Sequence, residues 1–316
     1  MSDLINVIKR QLNRAINTTD IKGLKKYQGK VRDVYDLGDK LLIVTTDRIS
    51  AFDRVLAAVP YKGAILNETT LFWFQKTEDI IKNHIIKKIH PNVLLVKKVK
   101  ILPIEIIVRG FLTGGGWREY SKTGMISGIK IPSGLKKDVK FDKPIITPTT
   151  KAEVGHDESI TVEEIINKGL VSEQVMRKVE ATAMKLFERG QDIASKNGLF
   201  LVDTKYEFGL DENGNLILAD EIHTSDSSRY WYKDSYSKLF EAGETQRALD
   251  KEYFREWLMS KGFNGDGNPP LIPDEIISGI CERYIEGFEM ITGNRYKLED
   301  VDFNLSLKNS ISEYSV

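Results

Sequence analysis

Cysteine is nearly absent from this sequence, because Cys281 is the only one among 316 residues. A single cysteine cannot form an internal disulfide, and with only four histidines no Cys/His cluster has the spacing of a zinc site. No apolar run approaches the ~18 residues of a membrane-spanning helix, and the first residues lack the apolar centre of a signal peptide. We therefore expect a cytoplasmic protein with no membrane partner.

Net charge is also lacking, since 46 basic residues balance 46 acidic ones. This balance argues against a global electrostatic footprint for nucleic acid or for an anionic membrane, although it is compatible with a locally basic cleft. The 41% hydrophobic and 29% charged residues are typical of a globular protein. A chain of this mass buries about three quarters of its surface on folding, and its length favours two domains.

Periodicity and turn signals predict a mixture of helices and strands. The predicted helices cover residues 3–17, 64–86, 172–196, about 245–260 and 274–291. Hairpins are predicted around residues 37–39 and over 198–221, and residues 93–109 have β-branched character interrupted by Pro103. The glycine-rich residues 110–134 are predicted to be mostly loop, and the polar tail after Arg295 carries no prediction.

The most informative strand is the one over residues 202–208, because its side chains alternate between an apolar and a charged face. The apolar face consists of Val202, Thr204, Tyr206 and Phe208, and the charged face of Asp203, Lys205 and Glu207. If Asn213-Gly214 forms a two-residue turn, the register pairs Glu207 directly with Asp220. Facing carboxylates destabilise a sheet unless a cation lies between them, and Mg²⁺ is one such cation.

A solvated outer face is the alternative, with Lys205 bridging its acidic neighbours. A loop longer than two residues would shift the register and weaken the pairing with Asp220. The charged face is therefore predicted either to bind a metal or to lie in solvent.

Several other segments suit anions. In Gly29-Lys30-Val31-Arg32 the glycine lets the backbone approach a phosphate and the cations offer charge, although an exposed turn has the same composition and the spacing is not that of a P-loop.

Arg109 ends an apolar run, so a buried position there needs an anionic partner in the protein or in a ligand. The polar segment 47–53 fits either a binding cleft or a structural Arg–Asp pair, and the polar loop 223–229 fits phosphate binding or an ordinary loop.

Six blocks in order decide between these alternatives. They are GKVRDVY, TDRISAFD, KGAIL…LFWF, PIEIIVRGFLTGGGW, TPTTKAEVGHDESI and VDTKYEFG…LADEIHTSDSSRYW. Together they closely resemble the longer form of phosphoribosylaminoimidazole-succinocarboxamide synthase, the SAICAR synthetase family, over roughly residues 25 to 290.

The resemblance implies an ATP-dependent ligase of de novo purine synthesis. The family joins carboxyaminoimidazole ribonucleotide (CAIR) to L-aspartate and releases ADP and phosphate. The implied fold is α+β with two lobes: a small kinase-like nucleotide lobe with an antiparallel sheet, expected over 1–103, and a larger ATP-grasp-like lobe with C-terminal helices, expected over 104–316. The implied state is a monomer or a homodimer.

The same resemblance assigns roles to residues by block. The ATP-binding positions are Gly29, Lys30, Arg32 and the backbone of Glu105 and Ile107, which would read adenine. Glu207 and Asp220 would hold Mg²⁺, and Lys30, Lys205 and Asp203 would act in catalysis. The positions implied to bind the nucleotide substrate are Ser50, Asp53, Arg109, Thr113, Gly115, Asp157 and Arg229, with Arg109 and Arg229 on its 5′-phosphate.

The sequence departs from the family pattern at a few positions. Gly115 stands where the family commonly has a serine that contacts the nucleotide phosphate, and Thr224-Ser225-Asp226 replaces Thr-Pro-Asp. No charged group is lost, so an active enzyme is expected. A small-molecule kinase on a related fold is the chief alternative, and a nucleotide-binding regulatory module without chemistry is another.

Overall fold

The computed structural model describes residues 2–151, 158–249 and 252–315. It consists of strands with one apolar face and helices with one apolar stripe, which pack together through these apolar surfaces. The strands are β1 (Lys26–Gln28), β2 (Arg32–Asp36), β3 (Lys40–Thr45), β4 (Arg48–Ala51), β5 (Arg54–Ala58), β6 (Ile85–His90), β7 (Val93–Lys97), β8 (Lys100–Ile101), β9 (Ile104–Phe111), β10 (Met125–Ile126), β11 (Ile129–Lys130), β12 (Lys140–Thr150), β13 (Leu199–Leu210), β14 (Leu216–Ala219) and β15 (Ser228–Tyr232). The helices are α1 (Ser2–Gln11), α2 (Lys62–Lys76), α3 (Gly114–Thr123), α4 (Val162–Asn167), α5 (Glu173–Lys196), α6 (Lys233–Ala242), α7 (Glu252–Ser260), α8 (Asp274–Thr292) and α9 (Phe303–Ile311).

The chain divides into two compact units. The first unit comprises Met1–Phe72, Ile85–Lys98 and Asp250–Val316, and the second comprises Trp73–His84 and Val99–Leu249. These bounds differ from a single cut at residue 103, because the C-terminal helices belong with the N-terminal residues.

The first unit is built on an antiparallel sheet in the order β1-β2-β3-β7-β6, beside a β4–β5 hairpin. Its core joins sheet residues such as Leu42 to Ile8 of α1, Ile285 of α8 and Leu307 of α9. Each fully buried aliphatic side chain contributes about 1.5–3 kcal/mol, so the terminal helices are integral to this unit.

The second unit is built on a six-stranded sheet in which β12, β9, β13 and β14 lie in that order, while β8 and β15 also pair with β13. Helix α5 packs on β13 at Gly190, where a Cβ would lie 2.6 Å from the Leu201 side chain. Within the described residues, no helix is long and apolar enough to cross a membrane.

Several predicted elements are confirmed. Helix α5 begins after Ser172, whose hydroxyl accepts a hydrogen bond from the N–H of Val175, and both predicted hairpins are present. Thr161 and Glu164 form a reciprocal capping box at α4.

Two expectations are wrong, and one helix was not predicted. Helix α2 ends at Lys76, ten residues before 86, because the following chain pairs with β14 through the Leu218 backbone. The stretch expected to be mostly loop contains α3, which starts within its glycines, and the uninterpreted tail contains α9.

Candidate active site

One face of the β9–β13 pair carries a group of charged side chains in the second unit. The opposite face of β13 is core, with Val202, Thr204, Tyr206 and Phe208 at most 2% exposed, so the predicted alternation is confirmed. Asp203 has Arg109 of β9 as its register partner on one side and Arg229 of β15 on the other. Cross-strand partners share a face, so the sheet itself brings these three side chains together.

The first charge cluster is this row of Arg109, Asp203 and Arg229. The carboxylate Oδ2 of Asp203 lies 3.2 Å from Arg229 Nη1 and 3.5 Å from Arg109 Nη1. Arg109 Nε also donates to the hydroxyl of Thr147 at 2.9 Å. Burial lowers the pKa of Arg109, and Asp203 acts in the opposite direction. Two guanidinium groups thus share one carboxylate, and the row carries a net positive charge suited to an anion.

The N-terminus of α3 adjoins this row. Gly114 has a φ of +55°, and a Cβ there would lie 2.7 Å from Arg229 Nη1, so only glycine fits. Thr113 is buried and precedes the helix, and a Cβ at Gly115 would lie 4.0 Å from Arg109 Nη2 and 3.7 Å from Arg118 Nη2. Arg118 was missed in the sequence because its helix was expected to be loop. The N-terminal turn of a helix attracts negative charge, and the neighbouring arginine side chains do so too. Both features therefore suit an anion at this place.

The second charge cluster consists of Glu105, Lys151, Lys205 and Glu207. Lys205 Nζ lies 2.5 Å from Glu105 and 3.5 Å from Glu207, and Lys151 also pairs with Glu207. Lys205 therefore bridges its acidic neighbours as the alternative interpretation expected, but Glu105 and Glu207 are only 6% and 7% exposed and are largely shielded from solvent. Lys151 was missed because it lies beyond the end of β12 in sequence.

Asp220 does not pair directly with Glu207, so that prediction is wrong. Glu207 has Ala219 as its partner, because the hairpin turn is five residues long rather than two. Asp211 stabilises the longer turn by accepting hydrogen bonds from the N–H groups of Asn213 and Asn215. Asp220 still lies close enough to act electrostatically: burial lowers the pKa of Lys205, but Glu207, Glu105 and Asp220 raise it overall.

A magnesium ion fits the donor chemistry of this cluster. The described residues contain no group of three or more His, Cys, Asp or Glu side chains that could hold a metal by themselves. A nucleotide-bound Mg²⁺ needs fewer protein ligands, because one or two carboxylates suffice when waters and phosphate oxygens complete its coordination shell. Glu207 and Asp220, both near Lys205, meet that requirement.

The predicted phosphate residues of the first unit lie on two turns. Gly29 and Arg32 close the β1–β2 turn through an N–H to carbonyl bond of 2.8 Å. Lys30 at its tip pairs with Asp53 at 2.5 Å, and both side chains are exposed. Ser50 lies in β4, half-buried, opposite Val55.

Arg48 and Asp47 are the buried charged residues of segment 47–53. The pair of Arg48 with Asp33, at 2.7 Å and nearly inaccessible to solvent, is the structural Arg–Asp interaction that the sequence left open.

The two positions predicted to read adenine through their backbone, Glu105 and Ile107, lie within the sheet of the second unit. Ile107 lies inside the sheet between Thr147 and Lys205, so strands flank its backbone on both sides, and the side chain of Glu105 pairs with Lys205. Reading of adenine by this backbone stays a prediction. Asp157 lies outside the described residues.

Comparison with known proteins identifies the arrangement. A SAICAR synthetase family model matches residues 25–270. The chain is 48% identical to the phosphoribosylaminoimidazole-succinocarboxamide synthase of Bacteroides thetaiotaomicron over 297 residues, which cover 91% of this chain and 94% of that protein. It is 48% identical to the Legionella pneumophila (strain Paris) synthase over 278 residues, 86% of this chain and 89% of that one.

The chain belongs to the SAICAR synthetase family. Among solved structures, it is similar to the Saccharomyces cerevisiae SAICAR-synthase complexed with SAICAR, with a TM-score of 0.81, 37% identity and coverage of 90% of this chain and 100% of that one. A type-2 SAICAR synthetase in complex with ADP gives a TM-score of 0.67 and 28% identity, covering 87% of this chain and 100% of that one. Membership of the SAICAR synthetase family confirms the predicted α+β fold and ligase class, and it does not favour the kinase alternative.

Proposed function

We propose that this chain joins CAIR and L-aspartate through an amide bond, with conversion of ATP to ADP and phosphate, in de novo purine biosynthesis. The observation that carries the proposal is the 48% identity to a phosphoribosylaminoimidazole-succinocarboxamide synthase over 91% of this chain. The charged face of β9 and β13 supports it, because it gathers cations and carboxylates as a reaction between anions requires.

The chemistry that the site must perform is the activation of a carboxylate. A carboxylate resists attack because its charge is delocalised and its leaving group would be oxide. In the proposed reaction, a carboxylate oxygen of CAIR attacks the γ-phosphorus of ATP, the bond to the bridging oxygen breaks, and ADP leaves. The amine of aspartate then attacks the acyl carbon, inorganic phosphate leaves with the former carboxylate oxygen, and the amine loses a proton.

Positive side chains would stabilise the charge that gathers on the phosphoryl group. We assign Lys30, with Gly29 and Arg32, to the ATP phosphates, and Lys205 to the transferred group. Lys151 joins them, since it contacts the same carboxylate, Glu207, as Lys205 does.

Glu207 and Asp220 would hold Mg²⁺. Bound there, the ion would neutralise part of the phosphate charge and orient the γ-phosphate. Two lysine ammonium groups contact Glu207 and hold its side chain in place before nucleotide binds.

The row of Arg109, Asp203 and Arg229 is assigned to the nucleotide substrate. The two guanidinium groups suit its 5′-phosphate, because arginine forms bidentate bonds to phosphate oxygens. Asp203 would lie near the reacting carboxylate. Ser50, Asp53, Thr113 and Gly115 are proposed to line the remaining substrate surface, with the helix terminus at Gly115 serving in place of a serine hydroxyl.

An assay of ADP release tests the proposal. Release should require CAIR and aspartate together, and neither substrate alone should support it. Glu207→Ala should lower turnover by about 100-fold or more without unfolding the protein. Glu212→Ala, an exposed acid on the turn of the same hairpin, is the matched control and should be unaffected. ADP release with CAIR alone and a stable phosphorylated product would instead establish the kinase alternative.

A further inference from the structure

One short segment of the first unit, residues 46–48, donates hydrogen bonds to the backbone of the β1–β2 turn. Arg48 Nη2 donates to the carbonyl of Gly29 at 3.1 Å, and Arg48 Nε donates to the carbonyl of Lys30 at 3.0 Å. The next carbonyl, of Val31, accepts from the backbone and the hydroxyl of Thr46 at 2.9 and 2.8 Å. Three consecutive carbonyls of the turn therefore accept hydrogen bonds from Arg48 or Thr46.

The Arg48 guanidinium is itself immobilised. It is 3% exposed and also donates to the carbonyl of Asn17 at 2.7 Å and to Asp33 at 2.7 Å. Every one of its contacts is an oxygen within the same unit, so its position does not depend on a ligand.

The direction of the carbonyls determines that of the N–H groups. The peptide bonds are trans, and in a trans peptide the N–H points opposite to the C=O. Because Arg48 holds the carbonyls of Gly29 and Lys30, the N–H groups of Lys30 and Val31 must point away from it. Within the described part of the chain, neither of these N–H groups donates a hydrogen bond.

Two consecutive N–H groups pointing the same way, beside a lysine ammonium, form a concave donor set for a phosphate. We infer that Arg48 is a positioning residue that shapes this turn, so that the N–H groups of Lys30 and Val31 bind a phosphate of ATP. The inference rests on the proposed function, which assigns the turn to ATP.

Arg48→Lys is the informative variant. Lysine keeps the charge beside Asp33 but cannot hold two carbonyls in the planar fork of arginine. The KM for ATP should rise about tenfold, as expected for one or two weakened hydrogen bonds to a charged group, and the affinity for ADP should fall in parallel. The KM for aspartate should stay within about twofold, whereas a merely structural role would lower the melting temperature and leave the ratio of the two KM values unchanged.

Arg54→Lys is the matched control. Arg54 belongs to the same unit and also donates to two glycine carbonyls, those of Gly265 and Gly267, but not to the turn. Its kinetic constants should match those of the unaltered protein. An Arg48→Lys enzyme that is folded and has an unchanged KM for ATP would overturn the inference.

Amide hydrogen exchange on the unaltered protein tests the same idea without relying on a variant that folds. Saturating ADP should slow exchange at Lys30 and Val31, and unchanged exchange at both would contradict the inference. Failure of the proposed function is distinct, because it would appear as absent ADP release in the unaltered enzyme while this protection by ADP could still be measured.

Discussion

The ammonium group of Lys205 lies 2.5 Å from the carboxylate of Glu105, and its side chain is 35% exposed. Glu105 is 6% exposed, so its carboxylate is largely shielded from solvent beside this partner. Under the proposed function, Lys205→Met should lower turnover by about 100-fold, because it removes the cation assigned to the transferred phosphoryl group. It should also lower the free energy of unfolding by about 1–2 kcal/mol, less than the ~3–5 kcal/mol of a fully buried pair, since solvent screens part of the interaction.

A double variant separates these two effects. Adding Glu105→Gln to Lys205→Met replaces the buried carboxylate that has lost its Lys205 partner with a neutral group, so urea titration should recover part of the stability while turnover stays low. Recovery of turnover with stability would show that Lys205 acts only through the fold.

The arginine row predicts a selective loss of substrate affinity. Arg229→Met should raise the KM for CAIR by about 10- to 100-fold and leave the KM for ATP within about twofold, because one charged phosphate contact is removed. Steady-state kinetics with each substrate varied in turn measures this. Arg177→Met is the control, since Arg177 is exposed and pairs with Glu173 one turn away on α5. An equal rise for both substrates would contradict the assignment.

Asp47 predicts a pH dependence of stability. It is 2% exposed and accepts hydrogen bonds from the N–H groups of Ile16 and Gly63. Burial raises its pKa to about 6, against the opposing effect of these bonds. The folded protein therefore binds this proton more tightly than the unfolded chain, whose aspartate pKa is about 3.9. The stability that the proton confers is full below pH ~4 and is lost as the pH rises through 6.

Asp47→Asn isolates that contribution. The free energy of unfolding of the protein minus that of the variant should fall by about 2 kcal/mol between pH 4 and pH 7, measured by urea titration at each pH. The exposed Asp39→Asn should show no such change. A difference that is constant with pH would mean that Asp47 has an ordinary pKa.

Two helical glycines predict opposite responses to the same substitution. In Gly190→Ala the new Cβ would lie 2.6 Å from His223 Cε1 and from Leu201 Cδ2, so overpacking should lower the free energy of unfolding by about 1–3 kcal/mol. A Cβ at Gly287 would have no atom of the described residues within 4 Å apart from its chain neighbours and the adjacent backbone of its own helix, and Gly287→Ala should raise the free energy of unfolding by about 0.5–1 kcal/mol. Thermal or chemical unfolding of both variants checks the pair, and destabilisation by both would refute it.

Local patterns predicted those features that local physics determines. The alternation over 202–208 predicted which side chains of β13 are core, and Ser172 predicted the start of α5, because period and capping involve neighbouring residues only. The same reasoning placed Asp203 and Lys205 on one polar face.

Features that depend on distant partners were not predictable in this way. The register of Glu207 changed because Asp211 makes its own backbone bonds and lengthens the turn, which alternation does not encode. Helix α3 starts in glycines of low helix propensity, and at the first of them, Gly114, a Cβ would lie 2.7 Å from Arg229 Nη1. Lys151 could be linked to Glu207 only by the pairing of β12 with β9 and of β9 with β13.

The first unit has a consequence for synthesis of the chain. Its core combines Ile8 near one end of the chain with Leu307 near the other, whereas the second unit is contained within residues 73–249. During translation, the second unit can form its native core before helices α8 and α9 have been synthesised. The residues of the first unit that precede it cannot complete their core until those helices are available. The turn that carries Lys30 is thus translated before the second unit, but the core of its own unit is completed only after the second unit has been translated.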